Sequence, residues 1–285
     1  MSNIAIVTDS TANIPEELMR ALPVHIVPLR VIWGSEVLKD GIDILPDEFY
    51  RRLQSTTVMP STSQATPADF IHTYSQLLKE GKQILSLHIS SKLSGTLDSA
   101  IQARAEFPGQ PIELVDSIST SMGMGYQALL AARAAVEGAT LQECKTLVEQ
   151  ARDFSGALFT VRTLEFLHRG GRIGGAAAFV GTALDLKPVL ELCDGRVEAV
   201  ERVRTMTKAV DRLIDQFEQK MDHRRPIRIG ALYTNNIDEA GELLERVRQR
   251  FNVTDISEAV LTPVSPVIGT HLGPGALGLA YVAGI

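Results

Sequence analysis

Short apolar runs alternate with amphipathic stretches along the first half of the chain. The run Ile4–Val7 predicts a strand, and turn-favouring residues after it lead to a helix that begins at Pro15. A clear helix follows over 66–79, because Thr66 and Asp69 form a capping pattern and Gly81 ends it. Further strands are predicted at 83–89 and 111–115, and further helices near residue 96, at 121–137 and at 141–152. These repeated strand–helix units predict an α/β/α arrangement with a mostly parallel sheet.

Two segments of this half have a less direct interpretation. The stretch Val24–Trp33 alternates poorly and contains Pro28, which predicts an edge strand. The stretch Gly123–Ala128 matches the G-x-G-x-x-A pattern of dinucleotide-binding loops. Its glycines fall inside a predicted helix instead of a strand-to-helix turn, so we interpret them as sites of close helix packing.

The second half has a different pattern. The runs 189–193 and 196–200 flank Asp194–Gly195, which is a strong signal for a β-hairpin. A long amphipathic helix is predicted at 206–221, a second helix at 239–250, and strands at 227–233, near 254–261 and at 277–282. The pattern is that of an α+β domain. We therefore divide the chain into an N-terminal α/β domain, residues 1–155, and a C-terminal α+β domain, residues 156–285.

Composition and charge exclude several classes of function. Of the 285 residues, 45% are hydrophobic and 22% are charged, which is typical of a globular protein. The net charge of −6 argues against nucleic-acid binding, which needs a basic surface. No apolar run approaches the length of a transmembrane segment, and the N-terminus does not resemble a signal peptide. We therefore expect a cytoplasmic protein.

Two hydroxyl-rich segments lie at predicted strand-to-helix junctions. Pro60–Thr66 carries four hydroxyls and an amide directly before a helix, more than capping requires. Ser90–Thr96 follows the strand 83–89, so it lies at the carboxyl end of a strand, where ligands bind in open α/β sheets. Hydroxyls beside helix N-terminal N–H groups suit an anion.

Two glycine-rich segments of the second half add a cation and a histidine. His168–Gly175 places Arg172 between paired glycines, which is typical either of an anion clamp or of a helix C-cap and turn. Gly269–Gly275 predicts a loop of conformationally permissive residues, which would place His271 at a surface or cleft.

Together with the N-terminal residues, these segments resemble the DegV family of fatty-acid-binding proteins. The matching segments occur in the family's order at Thr8–Ser10, Pro60–Gln64, Ser90–Thr96, Gly170–Arg172 and His271–Gly275. Each motif alone is weak, whereas five in order across nearly the whole chain are specific.

The resemblance implies a DegV-like fold and a function. It implies that a long-chain fatty acid such as palmitate lies between the two domains, with no cofactor and no metal. The carboxylate would be held by Thr62 and Ser94, with His271 and Arg172 close behind. It further implies a lipid-binding carrier without catalytic residues, which presents its ligand to a separate fatty acid kinase for acyl-phosphate formation. We expect such a carrier to be a monomer.

Candidates for the wall of an acyl tunnel come from the apolar residues after residue 155. They are Phe159, Leu164, Phe166 and the run Ala176–Val180, each of which is equally compatible with an ordinary core position.

Three other functions stay open on sequence alone. A hydrolase would use Ser94 and His271, with Asp9 as the acid that orients the histidine, although the G-x-S-x-G signature is absent. A self-sufficient phosphotransferase would need a Walker-type loop or a carboxylate cluster, and neither occurs. The third alternative is a regulator that binds another small acid, and identification of the ligand extracted from the protein would distinguish it from a fatty-acid carrier.

Overall fold

A computed structural model describes residues 3–179 and 186–285. The strands are β1 (Ile4–Asp9), β2 (Val24–Val27), β3 (Arg30–Trp33), β4 (Glu36–Lys39), β5 (Ser61–Ser63), β6 (Gln83–His88), β7 (Ile112–Asp116), β8 (Ser155–Thr160), β9 (Lys187–Cys193), β10 (Arg196–Val203), β11 (Ile227–Tyr233), β12 (Ile256–Pro263) and β13 (Leu277–Ala283). The α-helices are α1 (Glu16–Met19), α2 (Pro46–Ser55), α3 (Pro67–Lys79), α4 (Thr96–Ala105), α5 (Ser121–Val136), α6 (Leu141–Ala151), α7 (Glu165–Arg169), α8 (Met206–Met221), α9 (Ile237–Arg248) and α10 (Pro266–Leu272). Among the described helices, none is both long and apolar enough to cross a membrane.

A four-stranded parallel sheet, in the order β2–β1–β6–β7, organises the first half. Every residue of β1 is buried, and its side chains alternate between two cores. Ala5 and Val7 pack with α3 and α4, whereas Ile4 and Ile6 pack with α5 and α6. The predicted parallel sheet with helices on both faces is confirmed.

The prediction of one edge strand over Val24–Trp33 is wrong in part. The segment forms two strands that belong to different sheets. β2 does lie at the edge of the parallel sheet, but Pro28 has no N–H to continue the ladder, and the chain leaves the sheet there. The second strand, β3, is central in a small antiparallel sheet with the order β4–β3–β5.

The predicted loop at Pro60–Thr66 is also partly a strand. Ser61–Ser63 forms β5 and pairs with β3, so that Thr62 lies opposite Val31. The N-terminal cap of the next helix agrees with its prediction, because Thr66 and Asp69 form a capping box. Hydroxyl-bearing residues disguise the short strand in the sequence, whereas its pairing with β3 stabilises it.

A six-stranded mixed sheet, in the order β10–β9–β8–β13–β11–β12, organises the second half. The predicted hairpin is confirmed as antiparallel β9 and β10, joined by Asp194 and Gly195 with positive φ. Helices α8 and α9 pack on this sheet around Leu213, Phe217 and Leu243. The chain division near residue 155, where β8 begins, stays a prediction.

Helix α5 joins the two large sheets. Its contacts include β1 of the parallel sheet and β8 and β13 of the mixed sheet. A Cβ at Gly125 would lie 2.7 Å from Ala12 O, and one at Gly123 would lie 2.5 Å from Ser119 Oγ. The glycines therefore permit close packing and do not form a dinucleotide-binding turn, which confirms that interpretation.

Candidate functional site

The four predicted ligand-binding residues come from four separate elements of the fold. Thr62 lies in β5, Ser94 in the loop after β6, Arg172 in the turn after α7, and His271 in the last turn of α10. Each of them lines one shared cavity. Ser94 and Arg172 lie in loops or turns, as predicted, whereas Thr62 lies in a strand and not in a loop.

The position of His271 differs from its prediction. It lies on a helix and not in a glycine-rich loop, because Pro266 occupies the first turn of α10 and Gly273 ends it at a φ of 71°. The sequence contained both of these helix signals. Seven residues are too few for periodicity to reveal the helix.

Direct contacts join the four segments. Thr62 Oγ1 and His271 Nε2 are 3.0 Å apart. Arg172 donates from Nε to Leu93 O over 3.0 Å and from Nη1 to Gly170 O over 2.6 Å. Gly170 lies directly beside the His271 ring. The carboxyl-end loop of β6 and the segment that carries Thr62 also meet, as the side chain of Gln64 lies against Gly95.

The imidazole of His271 is neutral at physiological pH. Burial and, to a smaller extent, the positive charge of Arg172 together lower its pKa to about 4. A neutral imidazole has one N–H and one lone pair. When Nε2 carries the proton, it donates to Thr62 Oγ1 and leaves the Thr62 hydroxyl free to donate elsewhere.

The surroundings of Ser94 and Arg172 determine what each group offers a ligand. Ser94 Oγ lies 2.8 Å from Thr96 Oγ1 and accepts the Thr96 N–H at 3.3 Å. The Arg172 guanidinium is engaged by two backbone carbonyls, Leu93 O and Gly170 O. The backbone therefore fixes the position of the guanidinium charge, and the groups that Thr62 and Ser94 offer a ligand are neutral hydroxyls.

The remainder of the cavity is apolar. It encloses about 1030 Å³ of space free of protein atoms, part of which is open to solvent. Its apolar wall includes loop residues from before residue 155 and strand and helix residues from after it, namely Leu29, Ile89, Leu158, Leu192, Val267, Ile268 and Leu277. Gln64 lines the polar region and is exposed, so that region reaches the protein surface. This combination of a few polar groups with an apolar wall is typical of a small-molecule site.

The apolar tunnel candidates have mixed outcomes. Phe159 lines the cavity, whereas Phe166 packs against the core of the first half. Ala176 and Leu164 belong to a neighbouring core cluster, and Ala177 and Ala178 are exposed. Val180 lies outside the described residues. The actual wall comes mainly from β8, β13 and α10, whose apolar residues resemble any buried strand or helix in the sequence.

The geometry does not support a serine hydrolase at Ser94. No hydrogen bond joins Ser94 to His271, both of which are described residues, and His271 instead bonds to Thr62. The proposal of Asp9 as the orienting acid is wrong. Its carboxylate accepts hydrogen bonds from Thr11 N at 3.1 Å and Ile89 N at 3.0 Å, and it pairs with His88 Nδ1 at 3.1 Å.

The Asp9 pair continues into a buried polar chain. His88 Nε2 lies 2.7 Å from Ser86 Oγ, which lies 2.7 Å from Tyr74 Oη. The side chains of Asp9, His88 and Ser86 are fully buried, so no substrate reaches them. This chain satisfies polar groups between β1, β6 and α3, and its role is structural. The described residues contain no cluster of three or more metal-ligating side chains.

Polar residues beyond the four predicted ones also line the cavity. Ser63 and Gln64 follow Thr62 within the hydroxyl-rich segment, so that segment was the signal for them. Thr120 and Ser121 begin α5 and had no distinguishing signal, because hydroxyls at a helix start are ordinarily caps.

Comparisons with known proteins show the family to which this chain belongs. The family described as uncharacterised protein, DegV family, matches residues 3–284. A DegV domain-containing protein of Halalkalibacterium halodurans is 36% identical over 287 residues, covering 99% of each chain. A DegV family protein from Thermus thermophilus, described by its fatty acid binding, has a TM-score of 0.90 at 39% identity and covers 99% of this chain and 100% of its own. DegV of Bacillus subtilis, described as a fatty acid binding protein, has a TM-score of 0.89 at 31% identity, with coverage of 99% and 100%. The chain therefore belongs to the DegV family.

Proposed function

We propose that this protein binds a long-chain fatty acid, with the carboxylate at Thr62 and Ser94 and the tail along the apolar wall of the cavity. The observation that carries the proposal is one shared cavity in which these hydroxyls adjoin a largely apolar wall. Two structural relatives described as binding fatty acids support the same ligand class.

The tail supplies most of the affinity. A C16 chain has about fourteen methylenes, each worth roughly 0.8 kcal/mol on burial, so the gross gain is on the order of 10 kcal/mol. Loss of translational freedom and ordering of the chain offset part of that gain. A small acid would leave the apolar wall uncovered, which favours a long-chain ligand over the small-acid alternative.

The carboxylate receives hydrogen bonds without full neutralisation. Thr62 and Ser94 each offer one O–H, and neutral His271 orients the Thr62 hydroxyl. Arg172 donates its hydrogen bonds to the carbonyls of Leu93 and Gly170, so its positive charge acts on the carboxylate through space and not through a direct ion pair. Such a carboxylate stays anionic and retains nucleophilic character.

Beyond binding, the protein would present this carboxylate to a separate kinase. The polar region of the cavity reaches the surface at Gln64, where a partner enzyme has access to the head group. The product would be an acyl phosphate for lipid synthesis, with catalysis supplied by the kinase. A kinase assay with the loaded protein, ATP and a candidate cognate kinase tests this role separately from binding.

Native mass spectrometry followed by lipid extraction tests the binding function first. We expect one C16 or C18 fatty acid for each chain. An empty protein that also fails to take up palmitate would contradict the proposal.

Paired variants then test the head-group assignment. Thr62→Val and Ser94→Ala each remove one hydrogen bond to a charged group, worth about 1.5–3 kcal/mol, so the Kd for palmitate should rise about 10- to 150-fold. Thr73→Val is the matched control, because its hydroxyl donates to Asp69 O within α3 and does not line the cavity. Unchanged affinity in both site variants would refute the assignment.

A further inference from the structure

Helix α10, which carries His271, is held by residues from the first half of the chain at several points. Near its start, Tyr50 donates a hydrogen bond to Val264 O over 3.0 Å. In its middle, Gly269 lies against the Tyr50 ring, with no room for a Cβ. At its last turn, His271 meets Thr62. The position of the imidazole therefore depends on contacts that the first half makes along the whole helix.

Asp40 faces the first turn of α10. It lies in the turn after β4, is only 2% exposed, and donates its backbone N–H to Leu29 O at 2.9 Å. Its Oδ2 accepts the Ser10 hydroxyl at 2.7 Å. The Ser10 oxygen in turn accepts the Leu29 N–H at 3.1 Å. The hydroxyl proton of Ser10 is thus directed to the carboxylate.

The Ser265 hydroxyl and the Val267 N–H, at the start of α10, lie near the same carboxyl and help to lower its pKa. Neither forms a regular hydrogen bond with it, so Asp40 Oδ1 and Ser265 Oγ are two buried polar atoms without a partner. The Val267 N–H is a donor, and a hydroxyl such as that of Ser265 is able to donate. With the Ser10 hydroxyl, three donors surround Asp40, an arrangement that suits a carboxylate better than an amide or a protonated acid.

We propose that Asp40 is a positioning residue for the ligand site: its ionised carboxylate holds the first turn of α10 and so keeps His271 beside Thr62. The inference rests on the proposed fatty-acid binding at that site. Asp40 touches neither the cavity nor the ligand, and it acts through the helix that carries His271. Leu29 and Val267, which flank the Asp40 contacts, do line the cavity.

The titration of Asp40 makes this role measurable. Burial raises the pKa of Asp40, the donors of Ser10, Ser265 and Val267 oppose that rise, the negative charge of Asp9 adds to it, and the net pKa is about 7. Tyr50 is a further titratable group that faces Asp40. As pH rises through neutrality, Asp40 ionises and accepts from its donors, so ligand affinity should increase.

Folding stability should change in the opposite direction. A carboxyl with a raised folded pKa binds its proton more tightly in the folded than in the unfolded protein. The free energy of unfolding therefore falls as pH rises from the ordinary value of 3.8 to about 7. If Asp40 affected binding only through folding stability, affinity for palmitate would fall together with the free energy of unfolding as the pH rises. In its proposed role, affinity should rise while the free energy of unfolding falls.

The test compares palmitate binding by wild type and Asp40→Asn from about pH 5.5 to about pH 8.5. At the low end the wild-type group is protonated, so the two Kd values should agree within about twofold. At the high-pH end, Asp40→Asn should bind palmitate about tenfold more weakly or worse, because the NH₂ group of the asparagine would face another hydrogen-bond donor where the carboxylate accepted one. Asp43→Asn is the matched control, because Asp43 lies three residues after Asp40, is exposed, and accepts a hydrogen bond from Lys39 N. Dividing the Kd of the variant by that of wild type at each pH cancels the effect of the ionisation of palmitate itself.

Two further measurements keep the inference testable whatever the variant does. Ser10→Ala removes a donor from Asp40, so the midpoint of the pH–affinity profile should move upward. Hydrogen exchange of residues 266–272 without ligand should be faster in Asp40→Asn than in wild type at the high end of the range. A pH-independent Kd ratio, or unchanged exchange in α10, would overturn the inference. Failure of wild type to bind palmitate at any pH would instead overturn the proposed function.

Discussion

Gly170 is a position at which a substitution should disturb the head-group site while the head-group residues themselves stay intact. Its backbone has a φ of −74°, which any residue adopts, so Gly170→Ala causes no backbone strain. The added methyl would lie 2.0 Å from His271 Nδ1, whereas ordinary contact begins near 3.4 Å. The imidazole must therefore retreat by about 1.4 Å, because packed atoms do not overlap.

A shift or rotation of the ring by that amount disrupts the Thr62–His271 hydrogen bond, whose atoms are 3.0 Å apart, because a hydrogen bond tolerates only small changes in distance and angle. Thr62 then loses the partner that directs its proton toward the carboxylate. We expect a loss of about 1–3 kcal/mol in binding, or an increase of about 5- to 150-fold in the Kd for palmitate. Titration calorimetry with delipidated protein measures this change directly.

Gly241→Ala is the control for the same substitution. Gly241 lies within α9, and a Cβ there meets nothing within 4 Å. Alanine in a helix interior is more stable than glycine by roughly 0.5–1 kcal/mol, so this variant should unfold at a higher temperature and bind normally. If Gly170→Ala binds palmitate within about twofold of wild type, the role assigned to the His271 position is refuted.

Three further predictions follow from the site. Because the pKa of His271 is lowered to about 4 from 6.5, the folded protein resists protonation of this ring, and the free energy of unfolding falls as the pH drops from 6.5 toward 4. Between pH 6.5 and about 5 we expect a loss of about 2 kcal/mol. Chemical denaturation at each pH should show this loss in wild type and not in His271→Gln. In the fatty-acid complex, ¹⁵N NMR should find the proton of the neutral His271 ring on Nε2, and an Nδ1 proton would contradict the donor role of Thr62. Ala157→Leu adds bulk to the apolar wall, so it should weaken stearate binding more than laurate binding in a displacement assay, and an equal effect on both would place Ala157 away from the acyl tail.

Local sequence patterns determined most of the regular elements. Helix α8 has the predicted bounds because its apolar face repeats at helical spacing and Thr205 caps its start. The β9–β10 hairpin needed only an Asp-Gly turn between apolar runs. Elements whose signals were short or polar escaped prediction, including β5, which is made of three hydroxyl-bearing residues.

The candidate site was predictable in its parts and not in its assembly. Hydroxyl- and glycine-rich segments pointed to Thr62, Ser94, Arg172 and His271, because few other roles require those residue types together. Only the tertiary structure decided that Thr62 meets His271, from which it is separated by 209 positions. The same holds for Asp40, whose contacts with Ser10 and α10 involve residues that no local pattern connects. Periodicity reports which face of an element is buried, whereas the partner of a buried polar group depends on how distant elements pack.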